Sequence, residues 1–412
     1  MAQTILPPAS RSVPNNMLVS HPHDRQWFDV DSHRLKLVHR PTDRLQALTN
    51  VIEQADAKLK LFFYMFEGDD IGQMILNILI AACKRGVTVE LMIDSFGSNG
   101  APKGFFDPFE EAGGSFGVFS PRFSTGYFVR NHQKMVIADN SRAMIGGFNI
   151  ANQYFNEHPE DDNSDHSETS WEDLGIIIEG PEVVRLNDYY DLLSGWVHHN
   201  NGNIRLLQKI VAQWDAGDGN FRWLLGGPSN QLSRWAQAVK MDLELGQRID
   251  LVSAYFSPGQ GLLRRIARLS KRGGQNRLIL AGKTDNPATI GASRLLYSYL
   301  LKRGTRIFEY QPKRLHMKLV IIDNAVYVGS ANFDLRSLFI NVELMVRIKD
   351  QAFADHTRLV VDEMSVNALP ISRSLHKERA GLLNRLRWVL SYFFVNILDY
   401  TVARRLNFGV KK

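Results

Sequence analysis

Cysteine is almost missing from this chain: one thiol, Cys83, in 412 residues. That excludes an internal disulfide framework and any metal site built on paired thiols, and it fits a reducing, cytosol-facing compartment. Cys83 lies in the apolar run MILNILIAAC and reads as a packed core thiol. Long apolar runs are missing too. None reaches the roughly 18–20 residues a membrane-spanning helix needs. The N-terminus, MAQTILPPASRSVPNN, has no apolar segment of the kind a secretory leader carries. The expectation is a soluble or membrane-peripheral protein. The body also lacks a charge excess. The net charge of +6 is concentrated in the tail, where nine Lys or Arg between Arg373 and Lys412 face two Asp or Glu. A near-neutral body disfavours a nucleic-acid groove. Hydrophobic residues make up 44%, enough for two or three ordinary domains.

What is present is a repeat. The segment 59–94 reads as strand, helix, strand, with Ile71, Met74, Ile75, Ile78, Leu79 and Ala82 on one helical face. Asp69 or Asp70 can cap its start, and Gly86 follows its last basic turn. The segment 249–285 repeats the order, with Leu262, Leu263, Ile266 and Leu269 on the equivalent face. FFDPFEEAGGSFGVFS then matches LLYSYLLKRGTRIFEYQ as helix, glycine and short strand. Two related α/β units with buried sheets and flanking helices are expected. The boundaries are an N-terminal extension 1–34, a first unit 35–215, a second unit 216–372, and a basic, apolar tail 373–412. Two stretches break the repeat. NEHPEDDNSDHSETS (156–170) reads as a solvated acidic loop. The tail has a charge-free core, Trp388 to Leu398, flanked by arginines and too short to span a bilayer. It suits a helix lying in an anionic membrane surface, or a helix packed on the body.

Each unit carries one polar string in an otherwise apolar strand: NHQKMVIADN (131–140) and LHMKLVIIDN (315–324). Residues two apart on a strand share a face, so His132 points with Lys134 and His316 with Lys318. Imidazole is a nucleophile or proton carrier near neutral pH, and lysine suits a phosphate oxygen. Asp139 and Asp323, five residues beyond the lysines, fall on the other parity and fit a role in holding backbone. One such string is a weak signal; two at equivalent places in a duplicated unit are a strong one. GGFN (146–149) and GSAN (329–332) follow, where glycine permits close approach and Asn149, Ser330 and Asn332 can donate to phosphate. WEDLGIII aligns with NVELMVRI, which sets Asp173 opposite Glu343. A carboxylate on a histidine fixes its tautomer, and the expected pairs are Asp173 with His132 and Glu343 with His316.

The paired His-x-Lys-x4-Asp strings resemble the phospholipase D superfamily over roughly residues 35–350. GGFNIANQYF, WEDLGIIIEGPEV and GSANFDLRSLFINVEL more narrowly resemble bacterial cardiolipin synthases, and the tail looks like that of their short form without N-terminal transmembrane helices. ANQYF departs from the family, which more often carries an acidic pair there, and so does the insertion at 156–170. The resemblance implies two pseudo-symmetric α/β sandwich domains sharing one active site at their interface. It implies a catalytic set of His132, Lys134, Asp139, His316, Lys318 and Asp323. It also implies metal-free, cofactor-free phosphatidyl transfer to phosphatidylglycerol through a phosphohistidine. By family habit His132 attacks first and His316 protonates the leaving group. Phosphatidylglycerol or phosphatidylethanolamine would be the donor, and no nucleic acid a partner. The place would be the cytoplasmic face of the inner membrane, peripherally bound. A phospholipid hydrolase, a nuclease-like phosphodiesterase and a non-catalytic membrane-binding protein are the alternatives.

Overall fold

The computed structural model describes residues 26–121, 129–156 and 170–398. Most of the N-terminal extension, most of the acidic insertion and the end of the tail lie outside them. The first unit is one eight-stranded sheet. Its spatial order is β1 (Phe28–Val30), β2 (His33–Val38), β9 (Gly175–Glu179), β7 (Arg142–Gly146), β6 (Lys134–Ala138), β3 (Lys58–Phe63), β4 (Thr88–Asp94) and β5 (Ser115–Phe119). The second sheet runs β10 (Phe221–Gly226), β19 (Glu343–Lys349), β17 (Ala325–Gly329), β16 (Lys318–Ile322), β11 (Arg248–Ser253), β13 (Gln275–Ala281), β14 (Arg306–Tyr310) and β20 (Ala368–Pro370). Without the edge strands β1 and β20 the two orders are the same, position by position. One expectation is corrected here. The first sheet starts at Phe28, inside the stretch read as an extension, because Phe28 and Val30 are buried and pair with β2.

Within each sheet three neighbouring strands run parallel, and the crossovers are helices. α2 (Asp70–Lys84) and the short α3 (Asp107–Glu111) serve the first sheet; α7 (Gln260–Lys271) and α8 (Pro287–Leu301) serve the second. The sequence sets their ends. The Asp69 carboxylate accepts from Gly72 N at 2.9 Å to start α2, and Gly86 ends it at φ +93°, a conformation glycine adopts without strain.

Alternation along the strands sorts the core. Met135 and Ile137 of β6 face a central core with α4 (Val183–His199), while Val136 and Ala138 face α1 (Pro41–Glu53) and α2. The central core continues into Leu319 and Ile321 of β16 and Phe353 and Val361 of α10 (Gln351–Val366). The inner faces of both sheets therefore share one core, and α5 (Ile204–Gln213) packs at its margin. A third core lies outside the second sheet, under α6 (Arg234–Leu245), α7 and α8.

Main-chain bonds stitch the units together. β8 (Trp171–Glu172) of the first unit pairs in parallel with β15 (Arg314–Leu315) of the second, and His316 N donates to Glu172 O at 2.8 Å. On the other side His132 N donates to Val342 O at 2.8 Å, and Val342 N to Arg130 O at 2.9 Å. Within the second unit, β12 (Phe256–Ser257) and β18 (Phe333–Asp334) form a short pair that leads into α9 (Leu335–Phe339). The chain then turns through α11 (Arg373–Arg379) into α12 (Leu382–Tyr392).

Candidate active site

The interface bonds bring the two histidines together across the cleft, their ring centroids 6.4 Å apart and their planes inclined at 61°. Each backbone N–H of the pair is held by the opposite unit, one residue before that unit's carboxylate. The partners are therefore exchanged relative to the expected pairs. Asp173 of the first unit binds His316 of the second, Nδ1 to Oδ2 at 2.7 Å. Glu343 of the second unit lies 3.3 Å from His132 Nδ1, which also meets Ser330 O at 3.1 Å. Local alignment could not show this, because bridging between distant segments decides it. The partner of each Nδ1 is a carboxylate or carbonyl oxygen, which only accepts. Nδ1 therefore carries the hydrogen in both rings, and each Nε2 has its lone pair free.

The lysines sit beside their histidines. Lys134 Nζ donates to His132 O at 2.6 Å, and Lys318 Nζ donates to His316 O. Lys134 is also 5.1 Å from the Tyr64 ring centroid. Burial, reinforced by Lys134, lowers His132 to about 4. Burial and the two lysines hold His316 well below its ordinary value. Both imidazoles are neutral at pH 7. Burial brings Lys318 down to about 8 and takes Lys134 well below its usual range. Burial lifts Asp173 to about 6 despite the nearby Lys318 and Arg44. Burial pushes Glu343 the same way, but His132, Lys134 and the Ser330 hydroxyl outweigh it and keep Glu343 below the ordinary glutamate value.

The remaining expected residues divide by what they touch. The Asp139 carboxylate accepts from the backbone N–H groups of Asp56, Ala57 and Lys58 at 2.8–2.9 Å, and Asp323 does the same for Gln247 and Arg248. Both aspartates have φ near +50° in the turn after their strand. Five residues of strand put them roughly 16 Å from the lysines, so they fix strand register and stay out of contact with the cleft. Ser330 gives its one hydroxyl hydrogen to Glu343 at 2.5 Å, instead of offering it to a phosphate. Ser337 Oγ at 2.7 Å joins it on the same carboxylate. Asn149 accepts from Met65 N and donates to Tyr154 Oη at 2.9 Å, leaving one amide hydrogen without an acceptor among the described residues. Asn332 is buried nearby, and its Oδ1 has no partner among the described residues. The GG/GS difference has a steric reason. A Cβ on Gly147 would collide with the Asp173 carboxylate, whereas the longer Glu343 sits where the Ser330 hydroxyl can reach it.

Several residues here carried no signal in the sequence. Tyr64 packs 4.8 Å from the His132 ring, and Tyr154 and Trp171 pack 5.3 and 5.0 Å from His316. They wall the cleft with aromatic surface. Arg44, fully buried on α1, donates to the carbonyls of Tyr154 at 2.6 Å and Asp173 at 2.5 Å and also to that of His39. Trp171 alone could have been found, since it abuts the aligned carboxylate segment. At the rim Tyr255 Oη donates to Asp285 at 2.6 Å. Among the described residues no cluster of three or more His, Cys, Asp or Glu is arranged to hold a metal.

Chemically, the cleft offers two imidazole lone pairs, each ring backed by an acceptor, with two lysine amino groups alongside. That arrangement suits nucleophilic attack and proton transfer at a single anionic centre.

The chain is similar to proteins of known name. The chain is 28% identical over 354 residues to cardiolipin synthase B of Salmonella typhimurium, covering 82% of this chain and 81% of that protein. It is 29% identical over 340 residues to cardiolipin synthase B of Escherichia coli K12, covering 78% of each. With the minor cardiolipin synthase ClsB of Bacillus subtilis it shares 28% over 378 residues, covering 89% and 90%. Among solved structures, the phosphatidylserine synthase of Haemophilus influenzae superposes with a TM-score of 0.70 at 15% identity, over 90% of this chain and 94% of that one. The polyphosphate kinase of Porphyromonas gingivalis gives 0.56 at 14% identity, over 83% and 49%. These two likenesses concern the fold. The sequence model of the family described as cardiolipin synthase, PLD-like domain, matches residues 48–181 and 244–364, more than half of the chain and both histidine strings, and to that family the chain belongs.

Proposed function

We propose that the protein is a phosphatidyltransferase that makes cardiolipin, moving a phosphatidyl group from a donor phospholipid to the glycerol head group of phosphatidylglycerol. The observation that carries the reading is the pair of imidazoles, 6.4 Å apart, each with Nδ1 facing the other unit's carboxylate. His132 Nε2 attacks the phosphorus while the bond to the head-group oxygen breaks. The anionic diester between the rings favours protonation of His316, and the imidazolium gives that proton to the leaving oxygen. In the second step the acceptor hydroxyl gives its proton to His316, its oxygen attacks the phosphorus, and the bond to His132 breaks. One diester and one alcohol enter, and one of each leaves, so no further reactant is required. Lys134 and Lys318 neutralise the diester. The walls of Tyr64, Tyr154 and Trp171 disfavour water as the acceptor, which favours transfer over hydrolysis. The donor is phosphatidylglycerol or phosphatidylethanolamine, and the protein works peripherally at the cytoplasmic face of the inner membrane.

The test supplies vesicles carrying labelled phosphatidylglycerol and separates the products. Cardiolipin and glycerol are expected, unaffected by chelator. Phosphatidic acid alone would replace the transferase reading with hydrolysis. His132→Ala and His316→Ala should each remove turnover; substantial activity in either, or loss with chelator, defeats the mechanism.

A further inference from the structure

A cationic pocket lies outside the cleft, beneath α12. The helix packs on α8, and a bare Gly291 makes the approach possible: a Cβ there would stand 2.5 Å from Ser391 Oγ. Trp388 faces inward and stacks on His376 at 5.3 Å. Between the two helices is a pocket of about 380 Å³, opening at the first turn of α8 and lined by Arg294, Arg379, Asn384 and Arg387. Its electrostatics are unbalanced. Arg294 grips the buried Glu309 through two bonds of 2.7 and 2.8 Å, and Arg379 reaches the same carboxylate at 3.2 Å. Arg387 hydrogen-bonds to no described residue and is exposed. Three guanidinium groups and one carboxylate leave two positive charges in excess at the pocket wall.

The opposite face of the same helix is apolar and open. Leu382, Leu383, Leu386, Val389 and Leu390 form a continuous exposed row with spacing that keeps them on one side of the helix, and Phe393 and Phe394 extend it into the π-helical turn that follows. A cationic pocket under an exposed apolar row has the two parts that a membrane lipid would need: an anionic head and acyl chains. Free phosphate would satisfy only the first. We propose that this pocket holds the phosphate of one anionic phospholipid of the bilayer leaflet, separately from the reacting lipids. Its place supports that role. Pro287 follows two residues after Asp285, the rim carboxylate bonded to Tyr255, so the pocket adjoins the cleft mouth on one surface. A lipid seated there would lay α12 on the leaflet with the cleft turned towards its substrates.

The experiment reads docking without turnover, so its outcome is independent of the proposed reaction. Full-length protein is floated with vesicles of phosphatidylcholine, with and without added phosphatidylserine, which is neither donor nor acceptor in that reaction. Arg387→Glu should reduce binding to the mixed vesicles by about tenfold. Arg385→Glu, the same charge change on the same helix outside the pocket, should reduce it by less than about threefold. Binding to phosphatidylcholine alone should match wild type for both, and so should their thermal melts, because both side chains are exposed. Equal loss in the two variants would show diffuse charge attraction and overturn the site. An unchanged Arg387→Glu, or one that also loses phosphatidylcholine binding, would overturn it as well.

Discussion

Both imidazoles are kept neutral by burial and neighbouring lysines, so the cleft's pH response falls to the groups that stay near neutrality. Asp173, raised to about 6, must be ionised to hold the Nδ1–H of His316. Falling pH protonates it and removes that hold. Burial lowers both lysines, Lys318 to about 8 and Lys134 well below its ordinary value, so rising pH strips positive charge from the diester's site. The expected kcat/KM profile carries an acid limb near 6, set by Asp173 in the free enzyme. Asp173→Asn keeps an acceptor oxygen but loses the charge, so activity should fall by about 10²–10⁴-fold. The acid limb should vanish with it. A variant that retains that limb would assign it to another group. The histidines and lysines were legible in the sequence because their chemistry is unusual inside a strand. Tyr64, Tyr154 and Arg44 were not, since aromatic and amphipathic positions look alike whether they wall a cleft or fill a core.

Strand and helix order was readable from the repeat, because 3.6-residue and two-residue periodicities are local. The exchange of carboxylates between units was not. It depends on β8 pairing with β15, and nothing in residues 171–173 specifies 314–315 over the equivalent segment of its own unit. Glu172 on β8 shows how strongly that junction is tied. Burial alone would raise its carboxyl, but His39 at 2.9 Å and Lys313 at 3.9 Å outweigh burial and hold it at about 2, below 4.5, while Tyr310 Oη donates at 3.0 Å. A depressed carboxylate stabilises the fold fully above its unfolded value, and that contribution disappears as pH falls from 4.5 towards 2. The shift corresponds to about 3 kcal/mol. Glu172→Gln, which keeps the shape and loses the charge, should cost about that much in urea unfolding at neutral pH. Its deficit against wild type should shrink across the acid window. A variant as stable as wild type at neutral pH would show that the junction does not depend on this charge.

At the scale of the molecule, the tail is both packed and open. Trp388, expected in an interfacial stretch, instead anchors α12 to the body, while the exposed row begins earlier, at Leu382. Among the described residues no helix is long and apolar enough to cross a membrane. An open apolar row of this length on a rigidly docked helix is costly in water unless something covers it. A leaflet would cover it without spanning. Leu383 and Leu386 are 78% and 56% exposed, so charging them should leave folding within about 0.5 kcal/mol of wild type. Removing two leucines from an acyl boundary loses about 3 kcal/mol of transfer free energy, or roughly a hundredfold in partitioning. The double variant Leu383→Glu, Leu386→Glu should therefore lose binding to phosphatidylcholine vesicles by that order, and raising the salt should not restore it. This separates the apolar contact from attraction by the arginines, which is weakened by screening. If the double variant floats as well as wild type, the row is not the membrane face, and the orientation of the cleft towards the leaflet fails with it.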